Sequence, residues 1–170
     1  MNTLKHVPIL VADDDADDRM MIRDALLESR LLNDVRFVRD GEELTDYLNR
    51  NGRYNDTHKY PLPGLILLDL NMPKKDGREA LKEIKENPTL RHIPIVVLTT
   101  SRADEDICRT YDLGVNSFVT KPVTFESLVK TMKEIGRYWF EIVELPEQDS
   151  TAESARQILR TNTPAVSSLQ

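Results

Sequence analysis

Five short apolar runs, none longer than five residues and each separated from the next by a helical pattern, constrain this chain most. They are Pro8 to Ala12, Val35 to Val38, Leu65 to Leu68, Ile95 to Leu98 and Ser117 to Val119. Between them apolar residues recur at helical spacing. Met21, Ile22, Ala25 and Leu26 form one stripe, Leu44, Tyr47 and Leu48 a second, and Ala80, Leu81 and Ile84 a third. Ile107 and Tyr111, stopped by Gly114, form a fourth; Phe125, Leu128, Val129, Met132 and Ile135 form a fifth that starts from an N-cap at Thr124. Parallel strands require long crossovers, and a helix after each strand supplies them. The pattern predicts five strand-helix units in an α/β fold built on one parallel sheet.

Two segments fall outside this alternation. Asn49 to Gly64 is turn-rich without periodicity and reads as a long surface loop before the third strand. Residues 147–170 are rich in Gln, Ser, Thr and Glu and read as a polar, flexible tail on a domain spanning 1–146. The 170 residues suffice for one domain with an appendage. A net charge of -6 argues against general affinity for a nucleic-acid backbone, which needs a basic face to release counterions. Cys108 is the sole cysteine, which excludes an intrachain disulfide and a thiolate zinc cluster and fits a reducing compartment; it reads as a small buried apolar residue. No apolar run reaches membrane-spanning length and the amino terminus lacks a secretion signal, so the expectation is a cytoplasmic protein with no membrane partner.

In an open parallel sheet the ligand site lies beyond the carboxyl ends of the strands. Strand one there releases Asp13 and Asp14, strand three Asp69, strand four Thr99 and strand five Lys121. Three carboxylates converging on one place repel each other, and a hard cation offsets that repulsion; magnesium suits oxygen ligands and keeps several waters. The same set fits phosphoryl transfer to a carboxylate. Asp69 is then the nucleophile, the metal and Lys121 neutralise phosphoryl charge, and Thr99 donates a hydroxyl hydrogen bond.

These residues resemble the receiver domain of two-component response regulators. The resemblance rests on the pair Asp13 and Asp14, the "DLNMPKKDG" segment containing Asp69, Thr99 after a buried strand, and "TKP" containing Lys121. Asp69 to Thr99 spans 30 residues and Thr99 to Lys121 spans 22, both typical of that family, and coverage runs from about Val7 to Tyr138. The resemblance implies a flavodoxin-like, doubly wound sheet of order 2-1-3-4-5 with helices on both faces. It also implies Mg2+ held by Asp13, Asp14, Asp69 and the backbone carbonyl of Asn71, a phosphoryl group received on Asp69 from a histidine kinase, and a cis Lys121-Pro122 peptide. Thr99 and Phe118 would form the family's switch, and the domain would catalyse its own phosphorylation and dephosphorylation. Thr100 stands where a small alanine is common, a departure that bears on phosphoryl lifetime. The longer loop, the "TTS" turn and "YWFEIVELP" narrow the resemblance to single-domain regulators paired with phytochrome-type kinases.

Several residues have plainer readings. Asp15, Asp17 and Asp18 read as a solvated first helical turn favoured by the helix dipole, Lys74 and Lys75 as a solvated pair, and His6, His58 and His92 as surface residues. An aspartate-nucleophile phosphatase of the haloacid-dehalogenase type needs a second Asp two residues after the nucleophile, where this chain has Asn71. A flavin-binding module would suffer repulsion between its phosphate and Asp13 to Asp18. "RYWFEIVEL", Arg137 to Leu145, carries more large apolar groups than one face of a terminal helix needs. A core-covering extension is the plainer reading of this stretch; the one favoured over it is a homodimer surface in which Tyr138, Trp139 and Phe140 join helix four, strand five and helix five, with output through protein contact.

Overall fold

The computed structural model describes residues 7–30, 34–100 and 103–145. The predicted tail and His6 lie outside these residues. Five strands alternate with five helices: β1 (Ile9–Ala12), α1 (Ala16–Glu28), β2 (Val35–Val38), α2 (Gly41–Asn49), β3 (Leu65–Leu68), α3 (Gly77–Glu86), β4 (Ile95–Thr99), α4 (Asp104–Asp112), β5 (Ser117–Thr120) and α5 (Phe125–Gly136). All pairings are parallel and the order is β2-β1-β3-β4-β5, the doubly wound arrangement expected. Each central strand is apolar on both faces because each face is covered. Ile9, Val11, Leu65, Leu67, Val96 and Leu98 pack with α1 and α5; Leu10, Ala12, Ile66, Leu68, Ile95 and Val97 pack with α2 and α3.

Helix starts follow from local chemistry. Asp15 caps α1 by accepting from the Asp17 and Asp18 N–H groups, Asp76 and Glu79 form a reciprocal capping box on α3, and Thr124 caps α5 as predicted. The fourth stripe is displaced from the expected one. Tyr111 is 49% exposed, and among the described side chains of α4 the buried one is Thr110, whose hydroxyl donates to the Asp106 carbonyl at 2.7 Å and so enters the core without an unmet hydrogen bond. Cys108, expected to be buried, is exposed, since it lies three residues from Tyr111 on the same outward face.

The structure adds detail to two irregular stretches. The segment before β3 is packed, not merely a surface loop: a 3-10 turn at Gly52–Asn55 buries Tyr54, whose ring centroid lies 4.9 Å from those of both Tyr47 and Tyr60. The aromatic segment continues α5 as a π-helical turn, Arg137–Ile142. That continuation sets Trp139 on the face of Leu128, Met132 and Ile135, at successive spacings of four, three and four. Trp139 is therefore buried in its own core and Phe140 packs partly buried against it, whereas Tyr138 and Ile142 stay 50% and 61% exposed. Trp139 and Phe140 cover this chain's own sheet face, which is not the exposed surface the sequence led us to expect.

Candidate functional site

Sheet register builds the site. Ala12 pairs with Leu68, so the next residues, Asp13 and Asp69, emerge side by side; Thr99 pairs with Thr120, so Lys121 emerges next to the end of β4. The Lys121 N–H donates to the Thr99 carbonyl at 2.7 Å, which fastens the β5 exit to that strand end. Carboxylate oxygens of Asp13, Asp14 and Asp69 all lie within 4.8 Å of one another. Asp13 and Asp69 are buried and Asp14 is exposed, so the cluster is walled by protein on one side and open to solvent on the other. Glycine makes this packing possible: a Cβ on Gly77 would stand 2.3 Å from the Asp69 carbonyl oxygen.

Lys121 closes the group. Its Nζ lies 2.6 Å from Asp13 Oδ2 and 3.1 Å from Asp69 Oδ2, and it also lies 2.7 Å from Asp18 Oδ2. Burial alone would lower the lysine pKa, yet hydrogen bonding to Asp13 and Asp18 and the charges of Asp13 and Asp69 push it above the usual value. Burial raises Asp13 to about 6 against the opposing pull of Lys121. Asp13 Oδ1 accepts from the Asp15 N–H at 3.0 Å, and Asp13 Oδ2 faces the ammonium as an ion pair at 2.6 Å.

The charge and donor chemistry of the cluster are the test of whether a divalent cation fits. Three carboxylates within 4.8 Å of one another, two of them buried and both paired with the one Lys121 ammonium, leave an excess of negative charge that a divalent cation offsets, and all three are oxygen ligands of the kind magnesium takes. The residues fit the ion. Asn71 follows on the same loop, where its backbone N–H donates to Asp69 Oδ1 at 3.3 Å.

Other predicted positions vary in fate. Thr99 is fully buried at its strand end, Phe118 is partly buried against the α2 and α3 face, and Thr100 is exposed. Lys75 is not simply solvated: it donates to Thr45 Oγ1 at 3.1 Å and Glu83 Oε2 at 2.8 Å, tying α2 to α3. Lys74 pairs at 3.7 Å with Asp40. His58 and His92 are exposed as expected. The Lys121-Pro122 bond is trans where the resemblance implied cis; a tertiary amide favours trans by only about 0.5–1 kcal/mol, so local contacts readily decide it. Asp18 was missed, because a contact across 103 residues leaves no sign in local sequence.

Comparison with known proteins agrees with this geometry. Residues 9–133 match the response regulator receiver domain family. The chain is 44% identical over 140 residues to the response regulator Rcp1 of Synechocystis sp., covering 82% of this chain and 92% of that protein. It resembles the crystal structure of the phosphorylated cyanobacterial phytochrome response regulator RcpA with a TM-score of 0.78 and 44% identity, over 84% of this chain and 99% of that one. The Mn2+-bound form of Rcp1 matches with a TM-score of 0.75 and 41% identity, over 83% and 99% of the two chains. The chain thus belongs to the response regulator receiver domain family, homologous to phytochrome response regulators, with the phosphoacceptor role of two-component signalling and the acidic, Mg2+-binding pocket of such domains.

Proposed function

We propose that Asp69 is the phosphoacceptor, with Asp13, Asp14, Asp69 and the Asn71 carbonyl as the magnesium ligands. One observation carries the reading: a single carboxylate at the end of β3, buried to 6% exposure, faces an ammonium at 3.1 Å and two further carboxylates. A carboxylate is ordinarily ionised at neutral pH and needs no adjacent base to act as nucleophile. An Asp69 oxygen attacks the phosphorus of a donor, the bond from phosphorus to the leaving group breaks, and Lys121 balances charge on the phosphoryl oxygens. Magnesium, when bound, supplies further neutralisation of that charge. Hydrolysis by water restores Asp69, so the domain catalyses both its own phosphorylation and dephosphorylation.

The physiological donor is a histidine kinase, of phytochrome type by the likeness to RcpA and Rcp1, and the setting is the cytoplasm. Among the described residues no helix is long and apolar enough to cross a membrane. Thr99 and Phe118 relay the phosphorylated state to the face of α4, β5 and α5, where two copies meet; output is protein contact and not nucleic-acid binding. Support for this face comes from exposed Tyr111, Tyr138 and Ile142 and from a groove of about 470 Å³ lined by Val119, Ile135, Tyr138 and Trp139. Acetyl phosphate with magnesium should add one phosphoryl group by intact mass to the parent and none to Asp69→Asn. Equal labelling of the two would remove Asp69 from the role.

A further inference from the structure

Lys121 offers three N–H donors and meets three carboxylates: Asp13 Oδ2 at 2.6 Å, Asp18 Oδ2 at 2.7 Å and Asp69 Oδ2 at 3.1 Å. Two of these belong to the cluster that fits a cation. Asp18 does not: it sits in the first turn of α1, past the capping Asp15, and its side chain is 36% exposed. Its backbone is fixed, since the Asp18 N–H donates to Asp15 Oδ1 at 3.0 Å. The ammonium donates to Asp18 at 2.7 Å, a shorter hydrogen bond than the one it gives Asp69 at 3.1 Å, so Asp18 holds it from outside the cluster. A lysine stem carries much rotamer freedom, and fixing its end in advance removes that cost from the reaction.

We propose that Asp18 is a positioning residue that tethers the Lys121 ammonium to the start of α1, so that the ammonium stays aimed at the acceptor oxygen independently of Asp13 and Asp69. The function of the tether rests on Asp69 as acceptor; its existence does not. Asp18 thereby acts only through Lys121, and this separates it from a general negative charge. A carboxylate acting by its field alone would repel an anionic phosphodonor, and its removal would speed phosphorylation whether or not Lys121 were present.

The test is a double-mutant cycle with a second readout on the metal-free protein. With acetyl phosphate and magnesium, Asp18→Ala should slow labelling about tenfold, the lower end for losing a charge-assisted hydrogen bond, and Asp18→Asn, which keeps an acceptor oxygen, should slow it less. In a Lys121→Ala background, Asp18→Ala should change the rate by less than about twofold, because nothing remains to tether. A faster Asp18→Ala protein, or the same change in both backgrounds, overturns the proposal. In the metal-free, unphosphorylated protein, NMR of the Lys121 Cε and ammonium should show a restrained side chain that becomes mobile in Asp18→Ala. Unaltered Lys121 mobility overturns the tether even where labelling of Asp69→Asn has already overturned the acceptor.

Discussion

Burial drives Asp13 up to about 6 from an ordinary 3.8, with Lys121 opposing the shift. A folded-state pKa above the unfolded one means that folding takes up a proton between those values, so the ionised carboxylate costs stability above about pH 6 and the cost vanishes as pH falls toward 3.8. Relative to Asp13→Asn, the metal-free parent should therefore lose stability as pH rises from 4 to 6 and hold a constant difference above 7, read from paired urea titrations across that range. A difference that is flat with pH would mean that Asp13 titrates like a solvent-exposed acid. The same proton competes with a cation for Asp13, so metal affinity should weaken below pH 6. The residue that best suits a metal is the one whose ionisation the fold tolerates least without it.

At the level of elements, the strand ends are assembled by turns that leave little room. Gly41 accepts no substitute easily, because its Cβ would lie 2.2 Å from the Lys75 carbonyl oxygen, the group that receives the Gly41 N–H at 3.0 Å. This contact holds the loop after Asp69 against the start of α2. Elsewhere the chain carries strain it could shed. Arg50 ends α2 in the left-handed region at φ 60°, where glycine is the usual residue, and its side chain is exposed. Relief of about 1–2 kcal/mol of backbone strain, less about 0.4–1 kcal/mol for the more flexible unfolded glycine, leaves Arg50→Gly stabilised by about 0.8 kcal/mol at the middle of those ranges. Thermal unfolding should show this as a rise of about 2–3 °C. A fall in Tm would assign Arg50 a contact worth more than its strain.

Across the whole molecule, the two sheet faces differ in how they are finished. The face of α1 and α5 is completed by Trp139, which the π-helical turn carries round beneath the sheet, leaving Tyr138 and Ile142 on the outer side of the same turn. The self-association proposed through α4, β5 and α5 would depend on Tyr138 and Ile142, since Trp139 is buried in its own core. Burying such side chains is worth roughly 1.5–3 kcal/mol each. Tyr138→Gln with Ile142→Ser should abolish dimerisation, measured by light scattering with and without phosphodonor, and leave the melting temperature nearly unchanged. A parent chain that stays monomeric at high micromolar concentration in both states would reduce these two residues to ordinary exposed apolar groups.

The strands and the residues at their ends were legible in the sequence. At β1, β3 and β4 a buried apolar run reflects cover on both faces and the polar residue closing it marks the strand end, so Asp13, Asp69 and Thr99 were named by position, while Lys121 follows the shorter, half-buried run of β5. These are local properties. Long-range packing decided the rest. The turn-rich stretch before β3 packs because Tyr54 finds Tyr47 and Tyr60, the helix α4 turns Thr110 inward and Tyr111 outward, and Trp139 reaches the core only because α5 is prolonged by a wide turn. Asp18 shows the limit most directly. In sequence it is one more acid at a helix start, and its contact with Lys121 exists because α1 and β5 lie on either side of the same strand ends, a juxtaposition that the sheet order creates and no spacing within the chain records.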